Sequence, residues 1–159
     1  MNPEEVPVWR PLLSRVPLFK DLSAEVLEKI AILMKPLSLP RGATVFQQGD
    51  AADAFYLITS GQVHLVTERE GTQTVSGYLG RGDSLGELSL LTGDPRPMTA
   101  RLETTAEFLV LSKKDFTDAL RENPSILLHL SRSLSSRLLL EARGRERSPY
   151  PHLQNRRLA

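Results

Sequence analysis

The sequence predicts a mainly β domain with helices before and after the β region, either a small antiparallel barrel or a sandwich. Between about residues 37 and 111, short runs rich in Val, Thr, Tyr, Phe and Ile recur at intervals of roughly ten residues, separated by Gly, Asp and Pro. On both sides of this block, the apolar residues recur with the period of an α-helix. The chain has 159 residues and no cysteine, so one domain with a disulfide-free core is expected.

The first helices are predicted from apolar spacing and proline positions. Residues 1–15 form an N-terminal segment, in which a short helix is expected over residues 8–16 until Pro17 interrupts it. Ser23 is the expected N-cap of a second helix, and Pro36 is expected to end that helix. The apolar stripe of the second helix consists of Val26, Leu27, Ile30, Leu33 and Met34.

Strands and turns are predicted within the β region. The stretch "TSGQVHLV" predicts two strands joined by a hairpin turn at Ser60 and Gly61, because glycine supplies the dihedral angles that such turns need. Gly49 and Asp50 in "QQGDAAD" predict another turn. The strands are expected in the runs "ATVFQQ", "AFYLITSGQVHLVTE", "TQTVSGYLG", "MTARLE" and "EFLVLS".

The chain after the strands is predicted to be helical. Ser112 is the expected N-cap of one helix, and Pro124 opens a longer helix over residues 125–143. Leucines recur at steps of three or four along the longer helix, at Leu127, Leu130, Leu134 and Leu138. This spacing is typical of a coiled-coil seam, which would make residues 125–142 a homodimer interface. Packing of the same stripe on the barrel is an equally good interpretation.

The charge of the chain is unevenly distributed. Residues 143–159 hold five of the 20 basic residues and only one of the 19 acidic residues. The Arg, Ser, Pro and Gln content of residues 144–159 is typical of a disordered tail or linker, and weak contact with nucleic acid or an anionic membrane is the alternative. Because the residues after Arg143 are too few for a helix-turn-helix, no specific nucleic-acid binding is expected.

Motifs for catalysis, metal binding and membrane insertion are missing from the sequence. The three histidines, His64, His129 and His152, lack the paired spacing of a metal site, and no cysteine or G-x-S-x-G motif supplies a nucleophile. "LGRGDSLGE" lacks the Lys-Ser/Thr of a nucleoside triphosphate loop. No apolar run approaches the roughly 20 residues that span a bilayer, and the first residues are not signal-like. A cytoplasmic protein without enzyme activity or a metal is predicted.

The stretch "LGELSLLTGDPRPMTA" combines features of an anion site. Gly82 and Gly86 permit tight turns, and a helix of one or two turns beginning at about Glu87 would present free N–H groups. Arg96 can add a bidentate hydrogen bond to a phosphate, and a carboxylate accepts hydrogen bonds from sugar hydroxyls. A nucleotide site is one interpretation of this pattern. A surface ion pair between Glu87 and Arg96 is the alternative.

Residues 16–143 resemble the cyclic-nucleotide-binding domain family along their whole length. The resemblance rests on "VPLFKDLSAEVLEKIA", on "RGATVFQQGDAADAFYLITSGQVHLV" and on "LGRGDSLGELSLLTGDPRPMTA", the last being similar to the phosphate-binding cassette of the family. It implies a jelly-roll β-barrel with N-terminal helices and a C-terminal helix that acts as a lid and often as a dimer seam. It also implies that the ligand is a cyclic nucleotide, cAMP or cGMP, seated in the barrel without a metal.

The resemblance assigns roles to individual residues. It implies that Glu87 accepts a hydrogen bond from the ribose 2′-hydroxyl and that Arg96 holds the cyclic phosphate. Gly86 and Leu88 would place backbone groups near the phosphate. Arg137 on the lid helix falls about where some relatives contact the base or the phosphate, and Glu141 lies nearby.

The chain departs from the family pattern directly after the arginine. The family usually has a small residue there whose N–H donates to the phosphate, then alanine, then often threonine or serine. Pro97, Met98 and Thr99 occupy these positions, and proline has no N–H to donate. The hydroxyl directly after the arginine that favours cGMP in some members is also missing, so a preference for cAMP is predicted.

Three functional hypotheses follow from these features. The first is a cAMP sensor whose C-terminal helix passes a conformational change to an attached or partner output, the chain then being a segment of a larger protein. The second is a barrel of the same fold that has lost its ligand and serves as a dimerisation or interaction module. The third, a catabolite-activator-type transcription factor, lacks the residues for a DNA-binding domain after Arg143.

Overall fold

The computed structural model describes residues 1–20, 22–128 and 131–132. In chain order the elements are α1 (Val6–Leu13), α2 (Ala24–Leu33), β1 (Lys35–Leu39), β2 (Thr44–Phe46), β3 (Ala54–Ser60), β4 (Val63–Arg69), β5 (Thr72–Leu79), β6 (Ser84–Leu85), α3 (Glu87–Thr92), β7 (Thr99–Leu102), β8 (Ala106–Ser112) and α4 (Lys113–Glu122). Residues 124–128 and 131–132 are also helical.

Within the described residues the strands form two four-stranded antiparallel sheets. Sheet A has the order β1-β8-β3-β6, and sheet B has the order β2-β7-β4-β5. Most neighbouring strands are therefore distant in sequence, which is the double Greek-key arrangement of a jelly roll. The predicted class, a mainly β jelly roll with flanking helices, is confirmed.

The turn predicted at Ser60 and Gly61 does not form a hairpin. Gly61 has φ 91° as the turn requires, but β3 belongs to sheet A and β4 to sheet B. The chain crosses between the sheets here, and an added Cβ at Gly61 would collide with the backbone of Thr105 and Ala106. The hairpin lies instead at Glu70 and Gly71, where both residues have positive φ and β4 pairs directly with β5.

Strand β3 is buried on both faces, because it lies between the barrel interior and the helices. Its side chains alternate between the two environments. Ala54, Tyr56 and Ile58 join the interior cluster of the barrel, where Phe108 of β8 also lies. Phe55 and Leu57 join the second cluster, which α1, α2 and α4 cover. This double burial explains the nearly continuous apolar run "AFYLI".

The predicted N-caps are confirmed, whereas the helix boundaries differ from the predictions. The Ser23 hydroxyl accepts a hydrogen bond from the Val26 N–H at 3.3 Å. The helix α2 ends at Leu33, and Pro36 already lies in β1 as an edge-strand residue facing Leu109. Helix α1 begins two residues earlier than expected, because proline is tolerated in its first turn, and it ends at Leu13.

The C-terminal predictions fall partly outside the described residues. The Ser112 hydroxyl caps α4 by accepting a hydrogen bond from the Asp115 N–H at 3.1 Å, as predicted. Of the predicted helix 125–143, residues 125–128 and 131–132 are described and helical. The rest of that helix, with Arg137 and Glu141, and the basic tail 144–159 lie outside the described residues. None of the described helices is long and apolar enough to span a bilayer.

Candidate ligand-binding site

A glycine at each end defines the short helix α3. Gly86 has φ 81° and Gly93 has φ 77°, so both adopt the left-handed conformation that other residues avoid. Between them Glu87–Thr92 form six helical residues, close to the one or two turns expected from the sequence. The chain therefore turns sharply into and out of α3 at the end of β6. Leu88 lies in the first turn of this helix.

Arg96 is buried beside the glycine that precedes α3. Only 1% of its surface is exposed, which makes it the largest fully buried side chain among the described residues. Its Nη1 donates to the Gly86 carbonyl at 3.0 Å, and its Nη2 donates to the Ala54 carbonyl at 2.6 Å. An added Cβ at Gly86 would overlap Arg96 Nη1. Glycine at position 86 is therefore required both for the turn and for the space that the guanidinium fills.

The guanidinium of Arg96 lies against an aromatic ring and near one carboxylate. Its Cζ is 4.3 Å from the centroid of the Phe46 ring, within the range of a cation–π interaction. The Asp53 carboxylate lies 3.6 Å from Nη2, but its side chain is 80% exposed and solvent screens the pair. Among the described residues Arg96 Nε has no hydrogen-bond partner. Phe46 and Asp53 thus both lie against the guanidinium.

Glu87 is buried as well. It is 8% exposed and is the first residue of α3, directly after the glycine whose carbonyl binds Arg96. Because both Glu87 and Arg96 are buried, a surface ion pair does not describe them. The two residues that sequence reasoning selected, nine positions apart, are brought to the same glycine at the end of the barrel.

The three residues after Arg96 alternate between the inside and the outside of the barrel. Met98 is 7% exposed and belongs to the interior cluster, whereas Pro97 is exposed. Thr99 is half-buried, and its hydroxyl accepts a hydrogen bond from the Gln48 N–H at 3.0 Å. Arg96 and Met98 therefore line the interior, while Pro97 and Thr99 lie on the outer side.

Sequence reasoning missed the residues that contact the Arg96 guanidinium from earlier in the chain. These are Phe46, Asp53 and Ala54, which belong to β2, to β3 or to the loop between them. Tyr56 of β3 lies beside Phe46, with 6.0 Å between the ring centroids. Burial raises the pKa of the Tyr56 phenol above its usual value; the Asp53 carboxylate raises it further, and Arg96 lowers it. No local motif marks these residues, because their partner lies about 40 residues away in the chain and the contact through the Ala54 carbonyl is independent of side-chain identity.

The arrangement is suited to a small anion. A buried guanidinium is costly to desolvate, and an anion bound in the same low-dielectric environment forms strong charge-assisted hydrogen bonds. The described residues contain no cluster of His, Cys, Asp and Glu that could hold a metal ion. Arg96 is the buried cation that an anion in this site would meet.

Comparison with known proteins gives relatives over most of the chain. The cAMP-activated global transcriptional regulator CRP of Escherichia coli O157:H7 is 36% identical over 101 residues, which are 62% of this chain and 48% of that protein. A cyclic nucleotide-gated potassium channel of Rhizobium etli is 31% identical over 118 residues, 74% of this chain and 32% of the channel. The chain thus spans about half or less of the length of these curated relatives.

The fold and the family are supported by two further comparisons. The N-terminal domain of a transcriptional regulator from Streptomyces coelicolor A3(2) superimposes with a TM-score of 0.74 at 32% identity, covering 82% of this chain and 92% of that one. The family model described as cyclic nucleotide-binding domain matches residues 36–123, more than half of the chain. This range contains both sheets and the whole segment from Gly86 to Thr99. The chain therefore belongs to the cyclic nucleotide-binding domain family.

Proposed function

We propose that this chain is a sensor domain that binds a cyclic nucleotide, with a preference for cAMP over cGMP. In this proposal Arg96 holds the cyclic phosphate, and Glu87 accepts a hydrogen bond from the ribose 2′-hydroxyl. The backbone of Gly86 and Leu88 lies beside the phosphate. Met98 lies in the barrel interior, and Pro97 and Thr99 shape the segment that joins Arg96 to β7. The domain itself performs no catalysis and needs no metal.

The observation that carries the proposal is the buried Arg96. Arg96 is 1% exposed, its Nε has no hydrogen-bond partner among the described residues, and the Asp53 carboxylate 3.6 Å from Nη2 is largely in solvent. Proteins rarely bury an arginine unless it is paired or serves a ligand. The family membership and the cAMP-activated relative support a cyclic nucleotide as that ligand.

The binding proposal is tested by titration calorimetry with cAMP, cGMP and a cyclic dinucleotide. We expect cAMP to bind most tightly, and Arg96→Lys to weaken binding roughly ten- to a hundredfold, because lysine cannot form the bidentate hydrogen bonds. Arg101→Lys is the matched control, since Arg101 lies in β7, the strand that follows the Arg96 segment, and is only half-buried. No heat with any of the three nucleotides, or equal affinity of the two variants, would contradict the proposal.

Signal output is the second part of the proposal. We propose that the ligand shifts the C-terminal helix between two arrangements, that residues 125–142 form a homodimer seam, and that a fused or partner domain reads the change. A transcriptional regulator and a channel among the relatives support an output outside the barrel. The cytoplasmic location and the lack of specific nucleic-acid binding stay predictions. Sedimentation of the chain with and without cAMP tests the dimer.

A ligand-free interaction module is the second candidate function. The observation that favours it is that both terminal nitrogens of Arg96 already donate to backbone carbonyls, those of Gly86 and Ala54. Pro97 also lacks the N–H that family members use on the phosphate. In this case Arg96→Ala would leave the oligomeric state and partner binding unchanged, and no nucleotide would bind. The same calorimetry and sedimentation measurements separate the two candidates.

A further inference from the structure

The segment that carries Arg96 has an unusual backbone. Pro95 and Pro97 flank the arginine, so Arg96 has the only backbone N–H in residues 95–97. That N–H donates to the Asp50 carbonyl at 2.8 Å, and the Gly49 N–H donates to the Arg96 carbonyl at 2.8 Å. The position of Arg96 is thus tied to the turn at residues 47–50.

Gln48 connects the turn at residues 47–50 to strand β4 by hydrogen bonds. The Gln48 side-chain Nε2 donates to the Glu68 carbonyl at 3.2 Å, and its Oε1 accepts from the Glu68 N–H at 2.8 Å. Its backbone N–H donates to the Thr99 hydroxyl at 3.0 Å. One residue therefore connects the turn to β4 by two hydrogen bonds and to β7 by a third.

The two side-chain bonds replace a missing link in the ladder between β4 and β7. In that ladder Val66 faces Thr99. Continuing the antiparallel register by two residues on each strand would place Glu68 opposite Pro97. A hydrogen-bonded pair at that position needs an N–H from both residues, and proline has none. The carboxamide of Gln48 offers one donor and one acceptor, as a peptide group does.

We infer that Gln48 is a positioning residue for Arg96: its carboxamide stands in for the backbone pairing that Pro97 forbids and thereby fixes the turn that holds the arginine. The strand pairing that Pro97 prevents is then compensated within this chain, whereas a donation from position 97 to a phosphate is not. This inference rests on the proposed function only for its effect on nucleotide affinity. The effect on the Arg96 backbone needs no ligand.

The first test is amide hydrogen exchange at Arg96, measured by NMR on the full chain without nucleotide. Gln48→Ala is expected to speed exchange of the Arg96 N–H by about tenfold, because the turn that accepts its hydrogen bond loses two anchors. Gln73→Ala is the matched control, since Gln73 is an exposed residue of β5 opposite the same Glu68. Unchanged exchange in the Gln48 variant would overturn the inference, whether or not the chain binds a nucleotide.

The second test is the affinity for cAMP. Gln48→Ala should weaken binding about five- to tenfold, the size expected for two exposed hydrogen bonds, while Gln73→Ala should leave it unchanged. In combination with Arg96→Lys, the Gln48 substitution should weaken binding little further, because both act through the same guanidinium. Fully additive losses would show that Gln48 does not act through Arg96. If the wild-type chain binds no cAMP, the proposed function fails and the exchange test alone decides the inference.

The third test is rescue. Pro97→Ala, placed in the Gln48→Ala background, restores an N–H that can donate to the Glu68 carbonyl. We expect it to recover at least half of the lost protection of the Arg96 amide. No recovery, with the fold intact by circular dichroism, would show that Gln48 does not replace the missing pairing.

Discussion

The two sheets of the jelly roll are covered differently. Sheet A is covered on one side by the barrel interior and on the other by the helices, so that Phe55 and Leu57 are fully buried on the helix side. Sheet B faces solvent with its outer side, where Val75 of β5 is 49% exposed. The segment with Arg96 leads directly into β7 of sheet B. The comparison indicates that sheet A is the more deeply buried of the two sheets, and that the segment with Arg96 runs from β6 of sheet A to β7 of sheet B.

The largest predicted effect is a difference in the free energy of unfolding between variants of the two sheets. Phe55→Ala should lower the free energy of unfolding by about 3–5 kcal/mol, because it removes a buried ring that contacts Phe19 edge-to-face and leaves a cavity. Val75→Ala in sheet B should change it by about 0.5 kcal/mol or less. Urea unfolding followed by circular dichroism measures both. Similar losses of unfolding free energy in the two variants would show that the outer faces of the two sheets contribute equally to stability.

The second prediction compares the two glycines around α3. Gly86→Ala and Gly93→Ala both force alanine into a left-handed conformation, which costs about 1–2 kcal/mol each. Only at Gly86 does the new Cβ overlap Arg96, since nothing lies within 4 Å of a Cβ at Gly93. Gly86→Ala should therefore weaken cAMP binding at least about tenfold more than Gly93→Ala. Calorimetry with matched protein preparations measures the difference, and equal affinities would count against the arginine site.

The smallest predicted effect lies at the exposed end of sheet B. Glu70 has φ 52° in the hairpin turn before Gly71, a conformation that asparagine adopts more readily than glutamate. Glu70→Asn should raise the free energy of unfolding by up to about 1 kcal/mol. It should not change cAMP affinity, because the turn keeps its backbone conformation and Glu68 keeps its two hydrogen bonds to Gln48. A stability gain accompanied by altered affinity would show that this end of sheet B is coupled to the ligand site.

Local features of the fold could be predicted well from the sequence. The caps at Ser23 and Ser112 were predictable, because each is a side chain bonding to an N–H three residues on. The turn at Gly49 and the short helix after Gly86 were predictable because glycine readily adopts the positive φ that both positions have. The hairpin assigned to Ser60 and Gly61 was wrong, because a glycine turn between two strands does not reveal whether those strands pair or enter different sheets.

Some residues of the candidate site could be predicted from the sequence, and others could not. Sequence reasoning selected Glu87 and Arg96, which lie close to Gly86 in the chain, and the resemblance to a known family assigned their roles. Sequence reasoning did not select Phe46 or Ala54, although they hold the guanidinium, because no spacing rule links them to position 96. Residues that act through a ring face or a backbone carbonyl leave no pattern that a motif could capture.

The sequence by itself determined the element types, the caps, the turn glycines and the placement of an acid and a base around a short helix. These depend on dihedral preferences and on contacts between residues a few positions apart. Only the tertiary structure decided that Arg96 is buried, that β3 and β4 separate into opposite sheets, and that Gln48 pairs with Glu68 where Pro97 cannot. Those features depend on contacts between residues 20 to 51 positions apart, which meet only when the two sheets close on each other.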